Sequence, residues 1–402
     1  MSEPALHVGV DATTWANDRG FGRFTRELVT ALARRDSGLR YTLVFDRPFE
    51  GTLPDNVGVL SSTTRRSLSE SAVGATSRSP AYLLQMADAV RRARFDVFFF
   101  PAVYSYFPLL SRVPCVVCYH DTTAERLPQL LFPTQLNHRL WQLKTQLARL
   151  QTTRAMTISE SSARDLRAIL RIPAAQIDLV TEAADPVFRV IDDREALEAA
   201  RRRHGIPLEA EVLICVGGMN AHKNILGLLK ALPLIIERRK NVHLVAVGDT
   251  SGKGFWDNVP TLRRFVADHP PLAEHVHFTG YLDDAELVLL LNSAAALVFP
   301  SLWEGFGLPA VEALSCGAPV LASSRGSLPE VVGDAGLHFD PEDTLDIARV
   351  VSRFFDEPGL RERLAQAAVP RARMFTWEHA AELAELSFRR CHADAHRRQA
   401  AR

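Results

Sequence analysis

The chain has 402 residues, which exceeds the size of one ordinary hydrophobic core and indicates two domains or one large α/β unit. Its 47 basic residues equal its 47 acidic residues, and this balance gives no indication of a nucleic-acid partner. No stretch approaches the ~18 uninterrupted apolar residues of a membrane span, and the first residues lack a signal-peptide pattern, so we expect a cytoplasmic protein.

The N-terminal segment predicts a strand, a glycine loop and a helix. An apolar run covers residues 6–10, a loop with Gly20 and Gly22 follows, and apolar residues then recur at helical spacing. The loop lacks the third glycine of a dinucleotide-binding motif, which argues against a nicotinamide enzyme. It is either an ordinary turn before a helix or a loop that approaches a ligand.

Three apolar, β-prone runs follow, at residues 41–45, 95–100 and 113–119, and they predict buried parallel strands. Between the first two, residues 61–80 are rich in Ser, Thr, Arg and Gly. This composition predicts a mobile loop, which is either a lid over a binding site or a segment without function.

His120 comes directly after the third of these runs. The carboxyl ends of parallel strands are where α/β sheets place their ligands. We therefore expect His120 to be exposed to a ligand crevice rather than to the core. The alternative is a polar residue that only ends a strand.

Residues 137–153 predict an amphipathic helix with basic residues on one side, among them Arg139, Lys144 and Arg149. Such a helix can rest on an anionic membrane, which would matter for a lipid substrate. The pattern more strongly favours the solvated surface of a domain.

The second half of the chain repeats the order of strand, glycine turn and helix. An Asp-Pro pair followed by a highly charged segment places the domain change near residues 183–188. A strand-like run then ends at Gly217 and Gly218, and the turn that follows carries Lys223. An ammonium group there can neutralise a phosphate as a point charge, with a purely structural lysine as the alternative.

The most specific stretch is the loop between an apolar run at residues 294–299 and the next helix. Gly305 and Gly307 let the backbone approach a ligand closely, and the helix start supplies unpaired N–H donors, so the loop suits a diphosphate. Glu304 and Glu312 flank it and can reach hydroxyl-rich groups at either end of the diphosphate. A simple strand-to-helix turn is the alternative.

This stretch, which reads Pro-Ser-Leu-Trp-Glu-Gly-Phe-Gly-Leu-Pro-Ala-Val-Glu-Ala-Leu-Ser-Cys-Gly with seven residues between the two acids, resembles the signature of retaining nucleotide-sugar glycosyltransferases of family 4 (GT4). The resemblance implies the GT-B fold, in which two Rossmann-like parallel-sheet domains face each other across a cleft. We assign residues 1–184 to an N-terminal acceptor-binding domain and residues 185–374 to a C-terminal nucleotide-sugar-binding domain. Residues 375–402 are assigned to a helix that returns to the N-terminal domain.

The resemblance also implies roles for individual residues. The predicted catalytic residues are His120, Lys223 and Glu304. GT4 proteins carry an Arg five residues before this Lys, and here that position is Gly218, so His222 or a nearby arginine would have to replace the cation. The predicted donor-binding residues are Gly22, Gly218, Lys223, Gly280, Glu304, Gly305, Phe306, Gly307, Leu308 and Glu312.

The expected reaction transfers a sugar from a nucleoside diphosphate to an acceptor hydroxyl with same-face attack. The Asp-x-Asp signature of metal-dependent transferases is missing, so we expect neither a metal nor a cofactor beyond the donor. The expected partners are the nucleotide sugar and a saccharide, lipid-linked saccharide or small natural-product acceptor, with any peripheral membrane contact at the inner membrane face. Two alternatives keep the fold. One is a nucleotide-sugar epimerase or a phosphorylase, and the other is an inactive sugar-nucleotide binder, for which Gly218 is the argument.

Overall fold

The computed structural model describes residues 6–17, 20–62, 79–250 and 258–400. Most of the predicted loop at residues 61–80 lies outside these ranges. Its first residue, Ser61, ends a strand that the sequence analysis did not predict. The chain divides into two compact units, which we call unit 1 (Met1–Glu182 with Trp377–Arg402) and unit 2 (Ala183–Thr376).

Unit 1 is built on a seven-stranded parallel sheet within the described residues, in the order β3-β2-β1-β4-β5-β6-β7. Its strands are β1 (His7–Asp11), β2 (Arg40–Phe45), β3 (Val57–Ser61), β4 (Val97–Phe100), β5 (Cys115–Cys118), β6 (Thr152–Thr157) and β7 (Ile177–Leu179). The strand order reverses between β1 and β4, and such a switch point is where α/β sheets bind ligands. The central strands β4 and β5 are completely buried, because helices cover both faces of a parallel sheet.

The helices of unit 1 connect these strands and have apolar faces that complete its core. They are α1 (Gly20–Ala33), α2 (Pro80–Ala93), the single turns α3 (Thr123–Arg126) and α4 (Pro128–Leu131), α5 (Gln135–Gln151) and α6 (Glu160–Ala168). Helix α6 begins where the sequence places an N-cap, since the Ser159 hydroxyl accepts a hydrogen bond from the amide of Ser162 at 3.0 Å.

Unit 2 is built on a six-stranded parallel sheet within the described residues, in the order β10-β9-β8-β11-β12-β13. Its strands are β8 (Glu211–Val216), β9 (Val242–Val247), β10 (Val276–Gly280), β11 (Ala296–Phe299), β12 (Val320–Ser323) and β13 (Gly336–Phe339). The helices are α7 (Arg194–Arg203), α8 (Ile225–Arg238), α9 (Val259–Ala267), α10 (Asp284–Ser293), α11 (Leu308–Ser315), α12 (Leu328–Val332), α13 (Thr344–Asp356) and α14 (Leu360–Ala372). The switch point of this sheet lies between β8 and β11.

The last helix, α15 (Trp377–Ala400), belongs to unit 1, where it packs against α1 and against the strands β4 to β7. The predicted fold class is therefore confirmed, with two doubly wound parallel sheets and a final helix that returns to the N-terminal unit. Among the described residues, no helix combines the length and the apolar content needed to span a bilayer.

A buried carboxylate, Asp178 in β7, attaches α15 to the sheet of unit 1. It accepts hydrogen bonds from Ser387 at 2.7 Å and Arg390 at 2.9 Å, both on α15, and it also pairs with Arg154 of β6 at 2.6 Å. Arg154 in turn binds Asp394 of α15 at 2.8 Å. Burial favours the neutral acid, but hydrogen bonds from these partners outweigh it and lower the pKa of Asp178.

Replacing Asp178 by alanine is expected to lower the free energy of unfolding of unit 1 by about 3–5 kcal/mol, because the substitution breaks a buried ion pair and leaves Arg154 short of a partner. Denaturant titration followed by circular dichroism measures the change. The matched control is Asp88→Ala, which removes an ion pair with Arg91 on the surface of α2 and should not shift the transition. Equal midpoints for both variants would contradict the role of Asp178.

Candidate active site

The carboxyl ends of β8 and β11 bring Lys223 and Glu304 together at the switch point of unit 2. The Lys223 ammonium donates to Glu304 Oε1 at 2.6 Å, and the two side chains are only 21% and 12% exposed. The same ammonium lies 5.7 Å from the centre of the Phe299 ring, which ends β11 and gives a further favourable contact for the cation. Two residues that are 81 positions apart thus form one charged pair at the place where such sheets bind ligands.

Hydrogen bonds to two backbone carbonyls hold the two loops that carry this pair against each other. The amide of Leu302 donates to the carbonyl of His222 at 2.8 Å. Asn224, which adopts the left-handed conformation (φ 54°), donates from its side chain to the carbonyl of Pro300 at 3.2 Å. Lys223 sits between these two attachments, so its position relative to Glu304 is set by the backbone.

The loop from Glu304 to Leu308 is held from behind by Ser327. The Ser327 amide donates to the carbonyl of Glu304 at 3.2 Å, and its hydroxyl donates to the carbonyl of Phe306 at 2.7 Å. Gly307 has φ 99°, and a Cβ there would lie 2.6 Å from the Leu328 side chain, so only glycine fits. Helix α11 then starts at Leu308 with no cap from the described side chains. Pro309 has no N–H and the Ala310 amide donates to the Gly307 carbonyl at 2.8 Å, so the Leu308 amide is the helix donor suited to an anion.

The neighbouring Lys223 ammonium keeps Glu304 ionised despite its burial. Burial alone would raise the pKa of this carboxyl, but the Lys223 ammonium outweighs burial and lowers it. Glu304 therefore acts as a hydrogen-bond acceptor at neutral pH.

The loop at Gly218 lacks the cation that the GT4 resemblance leads one to expect, and His222 does not supply it. Burial, together with the neighbouring Lys223 ammonium, lowers the pKa of His222 to about 4, so its imidazole is neutral near pH 7. A Cβ at Gly218 would approach only the side-chain oxygen of Asn220, at 2.5 Å.

The structure places the two other predicted donor-binding residues of unit 2 as follows. Glu312 lies one turn into α11 and is 5% exposed. Gly280 ends β10 with φ 78°, and its carbonyl accepts from the amide of Gly248 at 3.0 Å.

His120 follows β5 in unit 1, and the prediction that it would be exposed is wrong. The side chain is buried, and its Nε2 donates to the carbonyl of Pro101 at 2.8 Å. Its Nδ1 lies 3.3 Å from Glu182 Oε1, and the ring packs edge-on against Phe24 of α1 at 4.8 Å. With a polar partner on each nitrogen, the imidazole is satisfied inside the protein and does not need solvent.

Glu182 is a partner of His120 that the sequence analysis did not single out. Burial disfavours the imidazolium, but Cys118 and the Glu182 carboxylate outweigh burial and raise the pKa of His120. Glu182 comes three residues after β7, and this position at the carboxyl end of a predicted strand is the signal that could have found it.

Gly22 lies in the first turn of α1, where the backbone packs closely. A Cβ at this position would be 1.9 Å from the carbonyl oxygen of Asn17. Close packing therefore requires a glycine here, whether or not Gly22 has its predicted role in donor binding.

Unit 1 also contains a half-buried carboxyl with a raised pKa that sequence reasoning missed. Glu125 of α3 accepts a hydrogen bond from the Trp141 indole at 2.8 Å. Burial raises the pKa of Glu125 to about 7, so this carboxyl titrates near neutral pH. Within the described ranges, no group of three or more His, Cys, Asp or Glu side chains is arranged to hold a metal ion.

Two family models match the chain, and between them they cover most of it. "Glycosyltransferase Family 4" matches residues 19–187, and "Glycosyl transferases group 1" matches residues 197–370. The first match lies almost entirely in unit 1 and the second in unit 2.

Curated relatives are similar over part of their length. The chain is 32% identical over 225 residues to O-antigen chain mannosyltransferase B of Escherichia coli, which covers 56% of this chain and 57% of the relative. It is 33% identical over 239 residues to D-inositol 3-phosphate glycosyltransferase of Thermomonospora curvata, with 56% and 55% covered. The chain thus spans little more than half the length of these relatives.

Solved structures share the fold along nearly the whole chain. Sucrose-phosphate synthase from Thermosynechococcus elongatus superposes with a TM-score of 0.74 at 18% identity, covering 96% of this chain and 99% of that one. WaaG, a glycosyltransferase involved in lipopolysaccharide biosynthesis, superposes with a TM-score of 0.71 at 18% identity, covering 94% of this chain and 98% of WaaG. Anabaena HepE in complex with UDP and glucose superposes with a TM-score of 0.71 at 18% identity, covering 95% of this chain and 99% of HepE. With both halves matched by the family models and both sheets in doubly wound order, the chain belongs to glycosyltransferase family 4 and has the GT-B fold.

Proposed function

We propose that this protein is a retaining hexosyltransferase that moves a sugar from a nucleoside-diphosphate sugar to an acceptor hydroxyl without a resident metal. The observation that carries the proposal is the Lys223–Glu304 pair beside the start of α11, at the switch point of unit 2. A fixed cation and a set of backbone N–H donors at one place suit the diphosphate that leaves when the glycosidic bond breaks.

The division of labour follows from the chemistry of each group. Lys223 and the amides of residues 305–308 stabilise the negative charge that develops on the leaving diphosphate. Glu304 accepts hydrogen bonds from hydroxyls of the transferred sugar, and Glu312 accepts from the ribose. Backbone groups near Gly280 contact the base.

The pairing of Lys223 with Glu304 is compatible with donor binding. An ammonium has three donor protons, so Lys223 can keep its bond to Glu304 Oε1 while it donates to phosphate oxygens. Glu304 then has lone pairs left for a sugar hydroxyl. The ion pair would thus contact both parts of the donor, with Lys223 on the diphosphate and Glu304 on the sugar.

Relatives and structural neighbours support the substrate class. The curated relatives are named as a mannosyltransferase and a D-inositol 3-phosphate glycosyltransferase, and HepE was solved with UDP-glucose. We therefore infer a hexose nucleotide donor and a hydroxyl-rich saccharide acceptor. None of these names supports an epimerase, a phosphorylase or an inactive binder. His120 and Gly22 stay predicted site residues on the strength of the GT4 resemblance, with His120 held rigidly between Pro101 and Glu182.

Replacing Glu304 by glutamine should reduce transfer at least ~100-fold, because the carboxylate that accepts from the sugar is replaced by a neutral amide of the same shape. The assay follows acceptor-dependent release of nucleoside diphosphate from a panel of UDP-, GDP-, ADP- and dTDP-sugars. The matched control is Glu342→Gln, an exposed acid of unit 2 whose loss should leave the rate unchanged.

Two outcomes of this assay would contradict the proposal. A Glu304→Gln protein with at least half of the wild-type rate would remove Glu304 from the site. Conversion of the donor without nucleoside diphosphate release would indicate an epimerase. The anomeric configuration of the product, determined by NMR, tests retention.

The ion pair predicts a pH-dependent effect of Lys223→Gln on stability. In the wild type, the lowered pKa of Glu304 means that this carboxyl stabilises unit 2 above about pH 4–5 and that the contribution is lost as pH falls. Without Lys223, burial loses its main opposing interaction, so the pKa of Glu304 rises and ionisation becomes destabilising. At pH 7 the variant should therefore have an unfolding free energy up to about 3 kcal/mol lower than that of the wild type, and a lower unfolding temperature. This difference in stability should shrink as the pH is lowered towards 4. A constant difference between pH 4 and pH 7 would contradict the pairing.

Restoring a cation tests the consequence of Gly218. The φ of Gly218 is not in the left-handed region, and a Cβ there fits once the Asn220 side chain, 2.5 Å away, moves, so we test Gly218→Arg. We expect it to tighten nucleoside diphosphate binding about tenfold through one charge-assisted hydrogen bond, measured by calorimetry. Gly218→Ala is the control for bulk without charge. Equal affinities of the two variants would show that this loop does not face the phosphates.

A further inference from the structure

The five leucines of helix α5 form an exposed apolar stripe. We call it the leucine face, and its members are Leu136, Leu140, Leu143, Leu147 and Leu150, which are 65%, 51%, 57%, 39% and 72% exposed. They alternate in steps of four and three residues, so they lie along one side of the helix. Helix α5 has 17 residues and is therefore about 25 Å long, and the leucines run along nearly all of it.

The opposite side of α5 is fixed to unit 1, so the leucines cannot turn inward. Thr145 and Ala148 are buried there, and Trp141 donates to Glu125. At the end of the helix, the Gln151 side chain accepts from the amide of Leu109 and donates to its carbonyl, both at 2.9 Å. The outer side of this predicted surface helix thus carries large apolar side chains.

The charged residues of helix α5 itself are all basic. Helix α5 contains no Asp or Glu, and its ionisable residues are His138, Arg139, Lys144 and Arg149. Lys144 donates to the carbonyl of Tyr104 on the inner side, whereas Arg139 is exposed and Arg149 is half-buried.

The face continues beyond the helix. The Gln151–Leu109 hydrogen bonds place the next residue, Leu110, beside the C-terminal end of α5, and Leu110 is 55% exposed. Arg112 follows two residues later. The whole surface thus combines apolar side chains with positive charge.

We propose that the leucine face docks this protein onto an anionic lipid bilayer, with α5 lying in the plane of the interface. The leucines would enter the boundary between headgroups and acyl chains, and the exposed Arg112 and Arg139 would contact anionic headgroups. Charge decides between a bilayer and a second copy of the chain. Two α5 helices that pair through their leucines bring basic residues against basic residues with no acid to balance them, whereas an anionic surface complements them. This inference does not depend on the proposed transfer reaction.

Vesicle flotation with the full chain tests the proposal. The vesicles are phosphatidylcholine alone or phosphatidylcholine with about one-third phosphatidylglycerol. We expect the wild type to bind the anionic vesicles, with affinity that falls as salt rises, and to bind the neutral vesicles at least tenfold more weakly. The triple variant Leu140→Gln, Leu143→Gln and Leu147→Gln should lose at least tenfold in affinity for the anionic vesicles, because the apolar area that enters the bilayer is removed.

Control variants test whether binding requires the leucine face itself or only exposed leucines anywhere on the protein. Leu84→Gln with Leu345→Gln removes leucines that are 56% and 69% exposed elsewhere and should leave binding unchanged. Arg112→Gln with Arg139→Gln should weaken binding to anionic vesicles about fivefold per charge without changing thermal unfolding. Circular dichroism confirms that every variant is folded.

Three outcomes would overturn the proposal. The first is a wild-type protein that binds neither kind of vesicle or binds both equally. The second is a folded triple variant that binds as tightly as the wild type. The third is a wild-type dimer in solution that the triple variant converts to a monomer without any vesicle binding, which would assign the leucine face to a second copy.

Discussion

The ion pair between Lys223 and Glu304 is the interaction on which the candidate site depends. Its two members come from different βα loops, and they meet because β8 and β11 are neighbours at the point where the strand order of unit 2 reverses. Burial makes each charge costly alone, and the Lys223 ammonium lowers the pKa of Glu304 and holds it in its ionised form. The same pairing places a cation and a carboxylate side by side at the carboxyl edge of the sheet, where a charged leaving group and a polyhydroxyl group can both be bound.

Backbone groups around the pair are hydrogen-bonded so that the loop carrying Glu304 keeps its position. Ser327 fixes the carbonyls of Glu304 and Phe306, and Gly307 allows the abrupt entry into α11 that turns amide groups outward. These contacts are local and rigid, which is what a site that stabilises developing charge requires. Gly218 carries no charge and His222 is neutral near pH 7. In the proposed site, the positive charge for the diphosphate therefore comes from the Lys223 ammonium.

Unit 1 shows how differently a residue at a strand end can be used. His120 occupies the expected place after β5 but is enclosed by Pro101, Glu182 and Phe24. Strand patterns indicate where a side chain leaves the sheet, but they do not report what packs over it. In this case α1 and the end of β7 supply the cover and the partner, and both are distant in sequence. The attachment of α15 through Asp178 is equally non-local, since it joins residues 209 positions apart.

The sequence by itself determined most of the strands, glycine turns and helices in their order, with β3 missed, because periodicity and turn chemistry are local properties. It also determined the loop from Glu304 to Glu312, and the resemblance of this loop to family 4 implied the GT-B fold. Only the tertiary structure decided which groups meet and which side of an element is covered. The pairing of Lys223 with Glu304, the burial of His120 and the neutral state of His222 all follow from contacts between separate elements. Helix α5 shows the reason most directly: its spacing shows that five leucines share one face, but only packing determines that this face is the outer one.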